Sequence, residues 1–286
     1  MADRRLAWQV AAMQRYAIGV FDSGLGGLTV VRAIRKAMPE VDVVYLGDTA
    51  RVPYGTRSAE TVARYAKGCA ARLADHGIDE LVIACNTASA VALDTVRDAS
   101  TIPIHGVIEP GAESAIAVTV NNNIGVLATR GTVNSGAYPR QLKRLNPNVQ
   151  VHPVSASLLV PLAEEGWLEG EIVERVVDVY LEPLVDAKVD TILLGCTHYP
   201  LLRDAIESRA QSQINSDVRV VDSADAVAKM LVQHRVAAGG LTEPNTAKSP
   251  GELRVLVTDA PAHFSTVASR FLGETIDQFD VELIDL

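Results

Sequence analysis

Two stretches limit what this chain can fold into: Leu81-Val82-Ile83-Ala84-Cys85-Asn86-Thr87-Ala88-Ser89 and Ile192-Leu193-Leu194-Gly195-Cys196-Thr197-His198-Tyr199-Pro200. In each, a short aliphatic run stops at a cysteine, small polar residues follow, and a helical pattern begins. Uninterrupted apolar runs of this length suit strands buried on both faces, as in parallel sheets covered by helices. A thiol at the carboxyl end of such a strand faces the crevice where open α/β sheets hold their ligands. The amides and dipole of the following helix favour an anion, so each thiol is expected to ionise below its free value of ~8.5.

The surroundings of the two cysteines also repeat. Residues 18–21 read as a first strand, followed by the turn Asp22-Ser23-Gly24-Leu25-Gly26-Gly27 and a helix that Pro39 ends. Strands are expected over 41–46, 81–84 and 104–108, with a helix over 58–75 capped by Ser58. Asn123-Ile124-Gly125-Val126-Leu127-Ala128-Thr129 is similar to the opening Ala17-Ile18-Gly19-Val20-Phe21-Asp22 and restarts the series. A helix over 132–145, a strand over 149–154 and an amphipathic helix over 168–185 then lead to the strand that delivers Cys196. First strand and cysteine are about 70 residues apart in both halves, the spacing of a duplicated unit.

The expected fold class is therefore α/β: two similar domains with mostly parallel sheets, related by a pseudo-two-fold axis, with an active site in the interdomain cleft. Past Cys196 the pattern gives a helix over 200–210, a strand over 218–221 and a helix over 224–234, then a loop without periodicity to about 251. The remainder, a strand over 253–257, a helix over 261–272 and a strand over 281–284, is too small to stand alone and is expected to return to the first sheet. The domains are then 17–109 plus 223–286, and 110–222, with 1–16 as an N-terminal extension.

Composition narrows the class of function. A chain of 286 residues, 48% hydrophobic and 21% charged, reads as soluble and globular, and its net charge of -9 argues against a nucleic-acid face. Three cysteines make no disulfide framework and suit a reducing cytosol. No apolar run reaches the ~18 to 20 residues of a membrane span. Residues 1–16 carry Arg4, Arg5 and Arg15, but Gln9 interrupts the apolar stretch and no small-residue cleavage site follows, so no signal peptide is expected.

Among candidate chemical groups, Cys69 lies inside the helical pattern Ala66-Lys67-Gly68-Cys69-Ala70-Ala71 and reads as a small buried hydrophobe. Cys85 and Cys196 stand apart by position. With His198 they are conceivable zinc ligands, yet no Cys-x-x-Cys or His-x-x-x-His spacing supports a metal. The turn at 22–27 matches neither nucleotide-loop pattern but suits a small-anion cradle at a helix N-terminus. Asp22 is an acid/base partner, an ammonium contact or a cap. Asn86, Thr87 and Thr197 cap helices, bind a polar ligand, or both. His198, two residues past Cys196, is close enough to share a proton with it or to stabilise a thiolate. His76, His105, His152, His234 and His263 have no such neighbours and read as surface or packing residues, and Glu164 and Glu165 as a solvated helix end.

These motifs resemble those of the glutamate racemases, in the aspartate/glutamate racemase superfamily. The resemblance rests on Phe21-Asp22-Ser23-Gly24-Leu25-Gly26-Gly27-Leu28-Thr29-Val30, Pro53-Tyr54-Gly55, Ala84-Cys85-Asn86-Thr87-Ala88, Pro161-Leu162-Ala163-Glu164-Glu165-Gly166 and Gly195-Cys196-Thr197-His198-Tyr199-Pro200, which run in family order. It implies a cofactor-independent isomerase that interconverts L- and D-glutamate for peptidoglycan and cell wall biosynthesis in the cytoplasm. By resemblance, Cys85 deprotonates D-glutamate and Cys196 L-glutamate, Asp22 assists the first thiol, and His198 and Glu164 assist the second. Ser23, Pro53, Tyr54, Gly55, Asn86, Thr87, Thr129, Thr132 and Thr197, with Asp22 and His198, fall where the family contacts substrate. A homodimer is usual in the family. An activating cell-wall precursor or DNA gyrase are the partners that the family suggests for residues 1–16.

The chemistry agrees with the resemblance. Inverting a carbon centre needs an acid and a base on opposite faces, and cysteines from two facing half-sites supply both. Pyridoxal phosphate, the usual alternative, requires a Schiff-base lysine, and none of the six lysines lies in these motifs. Rival readings are a racemase of aspartate or a related acid, a gyrase-binding inhibitor, and a thiol hydrolase that uses Cys196 and His198 alone.

Overall fold

A computed structural model describes residues 15–239, 249–273 and 281–286, with the side chains of 262 and 263 excepted. Most of the expected N-terminal extension, with any activator or gyrase contact through it, lies outside the described residues. So do most of the loop expected before 251 and the His263 side chain.

The aliphatic runs form two parallel sheets. The first holds β1 (Ala17–Asp22), β2 (Asp42–Gly47), β3 (Glu80–Ile83), β4 (Ile104–Gly106), β9 (Leu253–Val257) and β10 (Val281–Leu283) in the order β10-β9-β2-β1-β3-β4. The second holds β5 (Asn123–Ala128), β6 (Gln150–Ser155), β7 (Thr191–Gly195) and β8 (Arg219–Asp222) in the order β6-β5-β7-β8. The second sheet thus repeats the β2-β1-β3-β4 order of the first. Every residue of β1, β2, β3 and β7 is buried, as strands covered by helices on both faces must be. Register then sets the site: Phe21 pairs with Ile83 and Ala128 with Gly195, so Asp22 emerges beside the Cys85 segment and Thr129 beside Cys196.

Eleven helices connect and cover these strands among the described residues: α1 (Leu28–Ala37), α2 (Ala59–Ala74), α3 (Asn86–Arg97), α4 (Ile108–Val118), α5 (Arg130–Ser135), α6 (Ala137–Leu145), α7 (Leu159–Glu165), α8 (Glu171–Asp186), α9 (Arg203–Gln213), α10 (Ser223–Ala237) and α11 (Pro261–Leu272). Ser58 caps α2 through the Thr61 amide, as its position suggests, and Asp222 caps α10 through Asp225. The long helix α10 leaves the second sheet and packs on α1 and α4. None of the helices is long and apolar enough to cross a membrane.

Several boundaries differ from the sequence expectation. The strand at 104–108 ends at Gly106, because Ile108 already opens α4, a helix that the pattern hid inside one apolar run. Pro110 sits in its first turn, where a missing N–H breaks no helical bond. The helix over 132–145 is two, broken at Gly136 in the left-handed conformation (φ 65°). The helix expected from 168 starts at Glu171, after Gly170 at φ 96°. Finally, the turn Tyr199–Leu202 is a 3-10 helix, and α9 follows it.

Candidate active site

β1 delivers Asp22 to the glycine-rich turn. Asp22 is fully buried; its Oδ2 accepts from the Gly24 amide at 2.9 Å and its Oδ1 from Thr197 Oγ1 at 3.3 Å. Burial raises its pKa, against the pull of the His198 charge, the Gly24 and Gly27 amides and the Thr197 hydroxyl. The contact with Thr197 joins the two cysteine motifs. Their approach depends on Gly26, where a Cβ would stand 2.2 Å from Thr197 Oγ1 and 2.5 Å from His198 Nδ1. Thr29, one turn further on, holds its Oγ1 2.9 Å from both Gly26 O and Thr197 O, so its one hydroxyl proton is shared between the turn and the second motif.

Cys85 ends the first motif as the N-cap residue of α3, with Sγ 3.6 Å from Ser23 Oγ. The expected depression of its pKa does not hold. Burial and the neighbouring Asp22 charge push the thiol up to about 12, outweighing the Ala88 amide and Ser23 hydroxyl that favour the thiolate. The helix N-terminus acts as anticipated, but desolvation is larger. A charge on Cys196 also raises the Cys85 pKa.

Cys196 has a different neighbourhood. Its Sγ lies 3.9 Å from His198 Nδ1, and His198 Nε2 lies 2.9 Å from Glu164 Oε1. Burial opposes a charge on His198, yet Cys196 and Glu164 together lift its pKa to about 10, so the imidazole is protonated at neutral pH. Because a 3-10 turn and not an α-helix follows Cys196, the positive partner is this side chain and not a helix dipole. Of the two neighbouring glutamates, Glu164 makes the contact, carried to His198 by the short helix α7.

Hydroxyls from both halves gather beside the thiols. Thr87 Oγ1 lies 2.9 Å from Thr129 Oγ1 and 3.1 Å from Thr132 Oγ1, and Thr129 caps α5. Gly55 packs against Thr129, where a Cβ would come within 3.0 Å. Pro53 follows a cis peptide and is exposed. Tyr54 is turned away: its hydroxyl donates to Asp48 Oδ2 at 2.6 Å and sits 3.9 Å from Cys69, so only its backbone can address a ligand. A cavity of about 300 Å³ adjoins the Thr87 hydroxyl, lined by Gly55, Arg57, Arg130 and Gly131 among others and by neither Cys85 nor Cys196.

Two residues of the site escaped the sequence reading. Asn86 Nδ2 donates to Tyr138 OH at 2.8 Å and to Ser223 Oγ at 3.1 Å. Tyr138 lies inside a helical pattern, and Ser223 has the single sequence signal of following a strand end. His105 also differs from expectation, because its Nε2 pairs with Glu80 Oε2 at 2.8 Å and its ring meets His234 at 5.3 Å. That pair sits at the amino end of β3, opposite the cysteine edge. Among the described residues, no group of three His, Cys, Asp or Glu side chains is placed to hold a metal ion.

Two buried thiols on motifs that meet at Asp22 and Thr197, one close to that carboxylate and one beside a charged imidazole, are the equipment of an enzyme that moves protons on and off carbon. Comparison with known proteins then gives the family. Residues 26–231 match the Asp/Glu/Hydantoin racemase model, and the chain belongs to that family. The chain is 47% identical to the glutamate racemase of Geobacter metallireducens, covering 93% of this chain and 97% of the relative. Its fold matches that of the Francisella tularensis glutamate racemase solved in complex with D-glutamate, with a TM-score of 0.84, 37% identity, and 95% and 98% of the two chains covered. It also matches the Escherichia coli glutamate racemase solved with L-glutamate and the activator UDP-MurNAc-ala, with a TM-score of 0.73, 28% identity, and 95% and 100% covered.

Proposed function

We propose that this chain interconverts L-glutamate and D-glutamate with two cysteines and no cofactor. The observation that carries the reading is that the two cysteine motifs meet at the contact of Asp22 with Thr197, with separate polar partners for the two buried thiols, Ser23 for Cys85, and His198 backed by Glu164 for Cys196. One thiolate takes the α-proton, the electron pair left on carbon spreads into the α-carboxylate, and the opposite thiol protonates the other face. The two sulfurs have then exchanged protonation states, ready for the reverse reaction. Cys85 acts on D-glutamate and Cys196 on L-glutamate. When L-glutamate is bound, Cys85, which burial holds neutral, is the proton donor on the opposite face.

Ser23, Asn86, Thr87, Thr129, Thr132, Thr197 and the backbone at 53–55 hold the carboxylates and ammonium, and the burial of Asn86, Thr87, Thr132 and Thr197 strengthens their contacts. The relatives that hold D- and L-glutamate support this choice of substrate. We extend the reading to a cytoplasmic homodimer that supplies D-glutamate for peptidoglycan, built from the units 17–109 plus 223–286 and 110–222. Strand membership of the two sheets supports that division.

Proton exchange in deuterated water tests the scheme. The parent chain should exchange the α-proton of both glutamate enantiomers, and aspartate should exchange far more slowly. Cys85→Ala and Cys196→Ala should each abolish racemisation. Cys196→Ala should still exchange D-glutamate with retention, and Cys85→Ala only L-glutamate. A single-cysteine variant that racemises at the parent rate would refute the two-base reading.

A further inference from the structure

Behind the reacting thiols, a buried polar cluster joins three parts of the chain. Asn86, at the start of α3, is 3% exposed, and both of its amide protons have acceptors: Tyr138 OH on α6 at 2.8 Å and Ser223 Oγ at the start of α10 at 3.1 Å. Tyr138 and Ser223 are 2.8 Å apart, and Ser223 Oγ donates to Leu194 O at 3.3 Å, two residues before Cys196. Both are buried. Gly111 of α4 closes the cluster, where a Cβ would stand 3.1 Å from Ser223 Oγ and 3.4 Å from Tyr138 OH. Asn86 donates to both hydroxyls, and with the Ser223 proton given to Leu194 O, Tyr138 donates to Ser223. Within the cluster one side-chain atom has no partner, the buried Asn86 Oδ1.

We infer that Tyr138 and Ser223 are positioning residues that fix the Asn86 amide with its oxygen toward the substrate, so that Asn86 accepts the substrate ammonium and does not donate to a carboxylate. The inference rests on glutamate as substrate. Glutamate at neutral pH has one kind of N–H donor, its ammonium, while both carboxylates only accept. A buried acceptor left open beside Cys85 is therefore answered by the ammonium, and its neighbours Thr87, Thr129 and Thr132 supply hydroxyls for a carboxylate. An amide released from Tyr138 and Ser223 can rotate and offer N–H to an ammonium, which repels it. Both locking residues sit where the chain crosses between the halves, at the start of α10 and against α4. The amide is thus held only while the halves keep this arrangement.

The test compares glutamate with glutarate, which keeps both carboxylates and lacks the ammonium. Tyr138→Phe, Ser223→Ala and the double variant are assayed for KM, kcat and competitive inhibition by glutarate. In the double variant KM for both enantiomers should rise about tenfold, the usual size of a lost hydrogen bond to a charged group, with a smaller effect on kcat. The inhibition constant of glutarate should stay within twofold of the parent. A parallel loss of glutarate affinity would mean that the two residues only maintain the fold, and an unchanged KM would mean that they do not orient Asn86; either outcome overturns the inference. If the parent chain itself fails to racemise glutamate, the functional reading fails first, which keeps the two failures apart.

Discussion

His198 carries a charge inside the protein, and its pH dependence follows from its partners. Its pKa of about 10 in the folded chain exceeds the ordinary histidine value of ~6.5, so the folded state holds a proton that the unfolded state releases. The stability contributed by the contacts with Cys196 and Glu164 is then complete below about pH 6.5 and declines as pH rises toward 10. Urea unfolding midpoints at pH 6 and pH 9.5 should show this decline, and it should be smaller in Glu164→Gln, which removes one of the two groups that raise the pKa. An equal decline in both proteins would assign it to other groups. The residues of this centre differ in how far sequence reveals them. Cys85, Asn86, Thr87, Cys196 and His198 lie in two contiguous motifs at strand ends, where position alone gives them away. Glu164 contacts His198 from 34 residues away, and nothing in its own neighbourhood separates it from Glu165. The direction of the Cys85 shift was equally hidden, because the helix N-terminus is visible in sequence while the extent of burial is not.

At the scale of elements, the glycine-rich turn matters for what it leaves out. The missing side chain of Gly26 lets the turn before α1 touch Thr197 and His198 in the other half. Gly26→Ala would place a methyl group 2.2 Å from Thr197 Oγ1, and the obstacle is the second cysteine motif itself. The two motifs must move apart, and misplacement of reacting groups by about 1 Å can cost on the order of 100-fold in rate. Racemase activity of Gly26→Ala should fall by about that factor while its circular dichroism stays that of the parent; full activity would show that the motifs have slack. Strands were the most legible elements, since uninterrupted Val, Ile and Leu runs between turn residues have few alternatives. Helix α4 was lost because it follows β4 after a single residue, with no polar break to mark where one period gives way to the other. The split between α5 and α6 depends on one residue, Gly136, whose left-handed backbone is permitted by its type but not demanded by it.

For the whole molecule, duplication was readable because the same strand-turn-helix series occurs twice, and the common strand order of the two sheets is its three-dimensional counterpart. How the halves grip one another was not, since it depends on single atoms far apart in sequence. Thr29 is an instance: its hydroxyl crosses 168 residues to reach Thr197 O, and both groups are buried. In Thr29→Val a methyl group replaces the hydroxyl at nearly equal volume, so packing of α1 is kept while the Thr197 carbonyl loses this donor. Leaving a buried carbonyl without a donor costs about 1 to 3 kcal/mol. The urea midpoint should drop accordingly with an unchanged slope, because the unfolded state and the buried area are those of the parent. The same bond holds Thr197 against Asp22, so kcat should fall with stability, whereas Ser58→Ala, which removes an exposed helix cap that makes no contact with either cysteine motif, should lower stability by about 1 kcal/mol with a smaller effect on kcat. If Thr29→Val loses stability but keeps kcat, the two halves are joined at this point without the junction serving the alignment of the thiols.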